Sequence, residues 1–302
     1  MHALAKTSLV ALLALTATPA ASAQRSKFKT PWESPAATIA LDVGITTLTV
    51  NYHRPALKGR NPWLQLGDTK NTQGVWRLGA NEATTFECSD PITLGGAKLA
   101  AGKYSLFAIV GEEKWTLIVN KAAQQWGSYF YDPKQDVVRF DVACKKVAAE
   151  QRREWFTLAL DPTDADSAEM VIAWDDRRLV VPIDVDVDGQ MAAQVERVLK
   201  ELDPKDTDTR LAIAKYWCQR DEELEEARHL LDEILAQQSN IWAFEWKGRV
   251  VKKLGEDALA AELLQKAYDL SANGGFPEDY RNGLKRQLAE WATPAKPPAN
   301  KK

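Results

Sequence analysis

Between residues 34 and 186 apolar and polar positions alternate in short runs. Residues 46–52 place Leu48, Val50 and Tyr52 on one face and Thr47, Thr49 and Asn51 on the other, the period of a half-buried strand. Residues 104–110 are apolar on both faces, as in a central strand covered from both sides. Gly111-Glu112-Glu113 reads as a hairpin turn, and 114–120 returns with Trp115, Leu117 and Val119 facing one way. Further strands are predicted over 37–43, 83–88, 136–144, 155–160, 169–174 and 179–185. Turn signals include Gly95-Gly96, Ala101-Gly102, Asp132-Pro133 and Asp175-Asp176. Many short strands without intervening helices predict a mainly β sandwich or jelly-roll-like domain over 34–186. Residues 54–75 carry Pro55, Gly59, Pro62 and Gly67 and little periodicity, which predicts a long loop.

The period changes near Val187, where Asp184-Val185-Asp186-Val187-Asp188-Gly189 marks a junction. Residues 222–237 put Leu224, Ala227, Leu230, Leu231, Ile234 and Leu235 on one helical stripe. Residues 257–270 repeat the design with Ala260, Leu263, Leu264 and Ala267. A shift of 33 residues superposes Ala227 on Ala260 and Leu231 on Leu264. Phe244, Lys247, Gly248 and Val251, followed by Ala260, Leu264 and Ala267, resemble a tetratricopeptide repeat, whose Gly and Ala let two helices approach closely. Lys247, Val251 and Ala272 depart from that pattern. A more degenerate copy begins near Thr207, with Ala214 at the Gly position. Opening and closing helices are expected over 191–202 and 277–291. The expectation is a small all-α, tetratricopeptide-like helical domain over 190–291, then a disordered, Pro-rich tail over 292–302. Such repeats imply a concave surface for a protein partner.

The first 23 residues read as a signal peptide. Lys6 precedes an apolar run over 9–17 that is too short to span a bilayer. Pro19 breaks it, and Ala21-Ser22-Ala23 fits the small-x-small rule. Cleavage between Ala23 and Gln24 predicts a periplasmic or secreted chain with no membrane span afterwards. No cysteine follows the run, which argues against a lipid anchor. The net charge is −3 and neither half is basic, so no nucleic-acid partner is expected. Three cysteines are too few for a disulfide scaffold. Buried free thiols are the first reading, and a Cys88–Cys144 bridge the alternative. No metal or other cofactor is expected from their spacing.

The most specific string is Trp76-Arg77-Leu78-Gly79-Ala80-Asn81-Glu82-Ala83-Thr84-Thr85. Around it, in order, stand Ser34-Pro35-Ala36-Ala37-Thr38, Tyr52-His53-Arg54-Pro55, Lys58-Gly59-Arg60, Ala101-Gly102-Lys103-Tyr104-Ser105-Leu106-Phe107, Trp115 to Asn120, and Trp126-Gly127-Ser128-Tyr129. Together they resemble a bacterial family known as domain of unknown function twenty-nine eleven, over 34 to about 185. The segment 61–74 departs from it in detail. The resemblance implies a domain and no reaction, so no catalytic residue carries over.

Gly79 and Asn81 suit a turn with unusual backbone angles, and Arg77 and Glu82 flank it and could pair across it. The first reading of this motif is a polar loop held in shape by that pair. The functional reading is that Arg54, Arg60, Arg77, Asn81 and Glu82 line one pocket for a small polar or anionic ligand. His53 reads as a strand-end residue, because no nucleophile or metal-ligand spacing accompanies it. Among the 11 tryptophans, Trp115, Trp155 and Trp174 fall in strands and read as core, whereas Trp32, Trp63 and Trp126 lie in loops beside Pro or Gly and read as surface candidates for sugar stacking. Most such loop aromatics simply cover a core. The chain as a whole reads as a non-enzymatic binding or scaffold module. The alternative is a hydrolase or lyase acting on a carbohydrate or anionic small molecule through Arg77, Asn81 and Glu82.

Overall fold

The structure, a computed structural model, describes residues 30–66 and 74–292. The expected signal peptide, its cleavage site and the tail from residue 293 lie outside the described residues. Two compact units meet at Val185/Asp186.

The first unit holds two antiparallel sheets. One runs in the order β1 (Ala36–Val43), β2 (Thr46–His53), β3 (Thr84–Cys88), β6 (Gly102–Ile109), β7 (Lys114–Asn120), β8 (Asp136–Ala143). The other runs in the order β10 (Arg153–Asp164), β11 (Ser167–Asp175), β12 (Arg177–Asp184), β4 (Ile92–Leu94), β5 (Ala97–Leu99), with β9 (Lys145–Lys146) also paired to β12. The sequence pattern locates nine of these strands to within a few residues. It misses β4, β5 and β9, because two or three residues show no period.

The sheets face one another as a sandwich. Alternation along β2 buries Leu48, Val50 and Tyr52. The Tyr52 hydroxyl crosses to the second sheet, donating to Leu158 O at 3.2 Å and accepting from Leu158 N at 3.1 Å. Trp76 stacks on Trp174 with centroids 5.8 Å apart and meets Phe156 edge-on at 5.2 Å. Trp115 and Trp174 are core residues, as the strand pattern implies. Strand β6 is buried on both faces for a visible reason. Its outward Phe107 joins Ile118, Val75, Ala83 and Tyr131 in a second small core. The segment following β7 supplies Tyr131 to that cluster.

The loop expected over 54–75 contains a short helix, α1 (Pro62–Leu66). Trp63 of α1 is not a surface aromatic. Its ring packs edge-on against Trp115 and Trp174, and its Nε1 donates to Asp176 at 3.1 Å. Trp155 errs the other way, since it is substantially exposed on edge strand β10. All three cysteines are free. Cys88 and Cys218 are buried and Cys144 is half-buried. The Cys88 thiol donates to Ala100 O, and burial pushes its pKa up.

The second unit contains α2 (Val187–Glu201), α3 (Thr207–Arg220), α4 (Leu224–Gln237), α5 (Ile241–Lys253), α6 (Asp257–Asn273) and α7 (Glu278–Ala292). Asp186, Asp206 and Asn240 cap α2, α3 and α5 by accepting from backbone N–H groups of the first turn. The α4 stripe of Ala227, Leu230, Leu231 and Ile234 is buried, as is Ala260, Leu263, Leu264 and Ala267 on α6. A Cβ at Gly248 would lie 3.2 Å from Ala260 O, so α5 and α6 touch nearly backbone to backbone.

Candidate functional site

The string from Trp76 to Thr85 is an excursion from the first sheet. Trp76 exchanges both backbone hydrogen bonds with Ala108 of β6, each 2.8 Å. The chain then leaves the sheet and rejoins it at Thr84, the start of β3. Within this excursion Leu78, Gly79 and Asn81 all have positive φ, at 54°, 151° and 58°. For Gly and Asn that conformation is tolerated, but for a fully buried Leu it is strained. The turn is held from inside. Trp76 Nε1 donates to Gly79 O, the Thr84 hydroxyl donates to Leu78 O, and Thr84 N donates to Arg77 O. A Cβ at Gly79 would lie 2.9 Å from His53 O, so only glycine lets the turn rest on the end of β2.

A second segment, Gln125-Trp126-Gly127, crosses this turn. Ala83 N donates to Gln125 O, Gly127 N donates to Asn81 O, and Glu82 forms an isolated bridge with Trp126. These contacts gather an aromatic surface. Trp126 and Trp32 lie 6.0 Å apart, Trp32 lies 5.3 Å from the His53 ring, and both tryptophans are about half exposed. They are surface aromatics, as their loop settings suggest. Tyr129 and Phe130 follow, still more exposed.

The five candidate residues do not share one pocket. Arg60, Arg77 and Asn81 line a cavity of about 480 Å³ together with Trp76, Trp174 and Ser34. Glu82 lines a different recess, with Asn51, Thr85, Lys103 and Trp126. Arg54 lines neither. Its guanidinium ties the sheets together, donating to Phe156 O and to the Thr157 hydroxyl at 2.9 Å each. Arg60 is partly committed as well, through Leu57 O and Ala56 O. The contact of the turn also differs from the sequence expectation, because Glu82 lies against the His53 imidazole rather than pairing with Arg77. His53 Nδ1 lies 3.5 Å from Glu82 Oε2. The reason is direction. Strand β2 delivers His53 to the turn, whereas Arg77 runs toward the other cavity and toward Gly127, where a Cβ would lie 3.4 Å from Arg77 Nη1.

Arg77 is the charge that stands between the turn and the cavity. Its Nε is buried with no hydrogen-bond partner among the described residues. Burial holds its pKa below the ordinary arginine value, with Tyr129 opposing. Glu82 is the sole carboxylate among the described residues lining its own recess. A two-acid glycosidase needs a second carboxyl roughly 5–10 Å away, and that recess supplies none. Among the described residues, no three His, Cys, Asp or Glu groups are arranged to hold a metal ion.

His53 is the residue that sequence reasoning set aside, since its partner stands 29 positions further along the chain. Burial lowers its pKa from the ordinary histidine value; Glu82 opposes this and Arg77 adds to it. The folded pKa therefore lies below the unfolded one, and as pH falls the unfolded chain takes up the proton first. This contribution to stability is complete above the unfolded value of about 6.5 and is lost as pH falls through the folded value. Wild type should lose more stability than His53→Gln between about pH 7.5 and about pH 5.5 in urea titrations. Parallel losses in the two proteins would clear the imidazole of that role.

A family model described as "Protein of unknown function (DUF2911)" matches residues 34–183. No curated protein and no solved structure matches the chain.

Proposed function

The domain over residues 34–183 belongs to the DUF2911 family, and from that premise we propose that this protein is a non-enzymatic binding module. Its β unit takes a small anionic ligand in the cavity lined by Arg60, Arg77 and Asn81. The observation that carries this reading is Arg77, whose Nε is buried without a hydrogen-bond partner. A half-buried cation with one unanswered donor favours an anion that can reach it. Asn81 stands on the same wall, and Trp76 and Trp174 add aromatic edges. A cavity of about 480 Å³ suits a ligand of monosaccharide size. An acidic sugar fits this chemistry, with its carboxylate on Arg77 and its hydroxyls on the amide and backbone groups. Calorimetric titration with glucuronate and with glucose tests it. Saturable binding of glucuronate with none of glucose is expected. Equal affinities, or no heat from either, would remove the charge argument.

The module works outside the cytoplasm in this reading, supported by the apolar run over 9–17 and the Ala21-Ser22-Ala23 cleavage signal. Its helical unit serves as the protein-docking half. The close approach of α5 and α6 at Gly248, with the repeated Ala and Leu stripe, supports a tetratricopeptide-like arrangement. Mature protein used as bait in cell-envelope extract should retain a partner that bait lacking residues 187–292 does not. Identical recoveries from both baits would rule the docking role out.

A further inference from the structure

A recess of about 770 Å³ lies away from the conspicuous motif, on the outer face of the second sheet. Its floor is made of short side chains, Thr157 and Ala159 of β10 with Val171 and Ala173 of β11. Its walls are cationic: Lys145 and Lys146 of β9, Arg177 and Arg178 of β12, and Arg152 and Arg153 at the start of β10. Only Glu150 and Asp161 among the lining residues are acidic, on a chain whose net charge is −3.

The register of this site opposes its own charges. Arg177 stands directly across from Lys146, and Arg178 directly across from Lys145. Like charges in directly opposed positions destabilise a strand pair, and β9 is only two residues long. Three of the cations are answered from within the fold. Arg152 pairs with Asp175, Lys146 with Glu112 at 3.1 Å, and Arg177 with Asp176 and the carbonyls of Gly111 and Glu112. The side chains of Lys145, Arg153 and Arg178 have no ion-pair or hydrogen-bond partner among the described residues. They border the same concavity.

We propose that this recess binds a small multivalent oxyanion, carrying two or more phosphate or carboxylate groups. The chemistry of the lining selects that class. None of the lining residues is aromatic, so none stacks a base or a sugar face, and the floor is too shallow in side chains to grip an apolar group. What remains is a concave cluster of guanidinium and ammonium donors, which recognises charge and little else. One anionic group bridges Lys145 and Arg178, converting a repulsive cross-strand pair into a clamp, and a second reaches Arg153. The site stands apart from the Arg77 cavity and does not depend on it.

The test is calorimetric titration of the full chain at low salt with tripolyphosphate, and separately with citrate. Saturable binding is expected, weakening as sodium chloride is added. The double variant K145Q/R178Q loses both contacts to the bridging group and should bind at least about tenfold more weakly, the effect of losing even one charge-assisted contact. Its ligand-free melting temperature should equal or exceed that of wild type, because an opposed pair of like charges is gone. K200Q/K266Q, which makes the same net-charge change on the helical unit, should bind as wild type does. Absence of binding by both probes, or equal affinities for K145Q/R178Q and wild type, would overturn the proposal. So would binding confined to phosphatidylglycerol-containing vesicles or to oligonucleotides, since each assigns the charge to a different class of partner.

Discussion

Replacing Trp76 with alanine is expected to cost the β unit about 3–5 kcal/mol, the range for a large buried aromatic. Trp76 is buried and sits where the two sheets converge. Its ring contacts Trp115, Phe156 and Trp174 at 5.8, 5.2 and 5.8 Å. Alanine leaves a cavity that three other rings cannot close without leaving their own rotamers. The indole N–H bond to Gly79 O is lost as well, which frees the strained turn at Leu78 and Gly79. Trp76→Phe keeps most of the apolar contact and loses that hydrogen bond, so its expected cost is smaller, about 1–2 kcal/mol. Urea unfolding followed by tryptophan fluorescence and by circular dichroism measures both. A Trp76→Ala protein within about 1 kcal/mol of wild type would mean that this cluster is not what joins the sheets.

Arg77→Gln should abolish most anion binding while leaving the fold intact. A charge-assisted hydrogen bond to a buried partner contributes about 1.5–3 kcal/mol, or roughly ten- to 150-fold in affinity. The stability change should be neutral or favourable, because a half-buried cation with an unanswered donor is removed. Few substitutions combine lost binding with unchanged or raised stability, so the pair of readouts is diagnostic. Arg77→Lys keeps the charge and loses the planar fork, and should fall between. Unchanged glucuronate affinity in Arg77→Gln would sink the proposed ligand site. A large drop in its melting temperature would instead make the guanidinium part of the turn's scaffold.

The sequence by itself determined the elements that rest on local period and local conformation. Alternation located β2 and β7, and helical spacing located α4 and α6. The need for special backbone angles at Gly79 and Asn81 was equally legible, because those residue types are chosen by the conformation of a single residue. Only the tertiary structure decided which side chains meet. His53 finds Glu82 because β2 ends beneath a turn that follows a long excursion of the chain. Arg54 is spent on the second sheet, at Phe156 and Thr157, some hundred residues on. Trp63 is drawn into the core and Trp155 is left outside it, although their local settings suggest the reverse. The opposed cations of β9 and β12 arise from a register that no periodicity in two residues could announce. Hydrophobic period reports how a segment faces its immediate surroundings, whereas a site is made by side-chain direction and strand register between segments far apart in sequence.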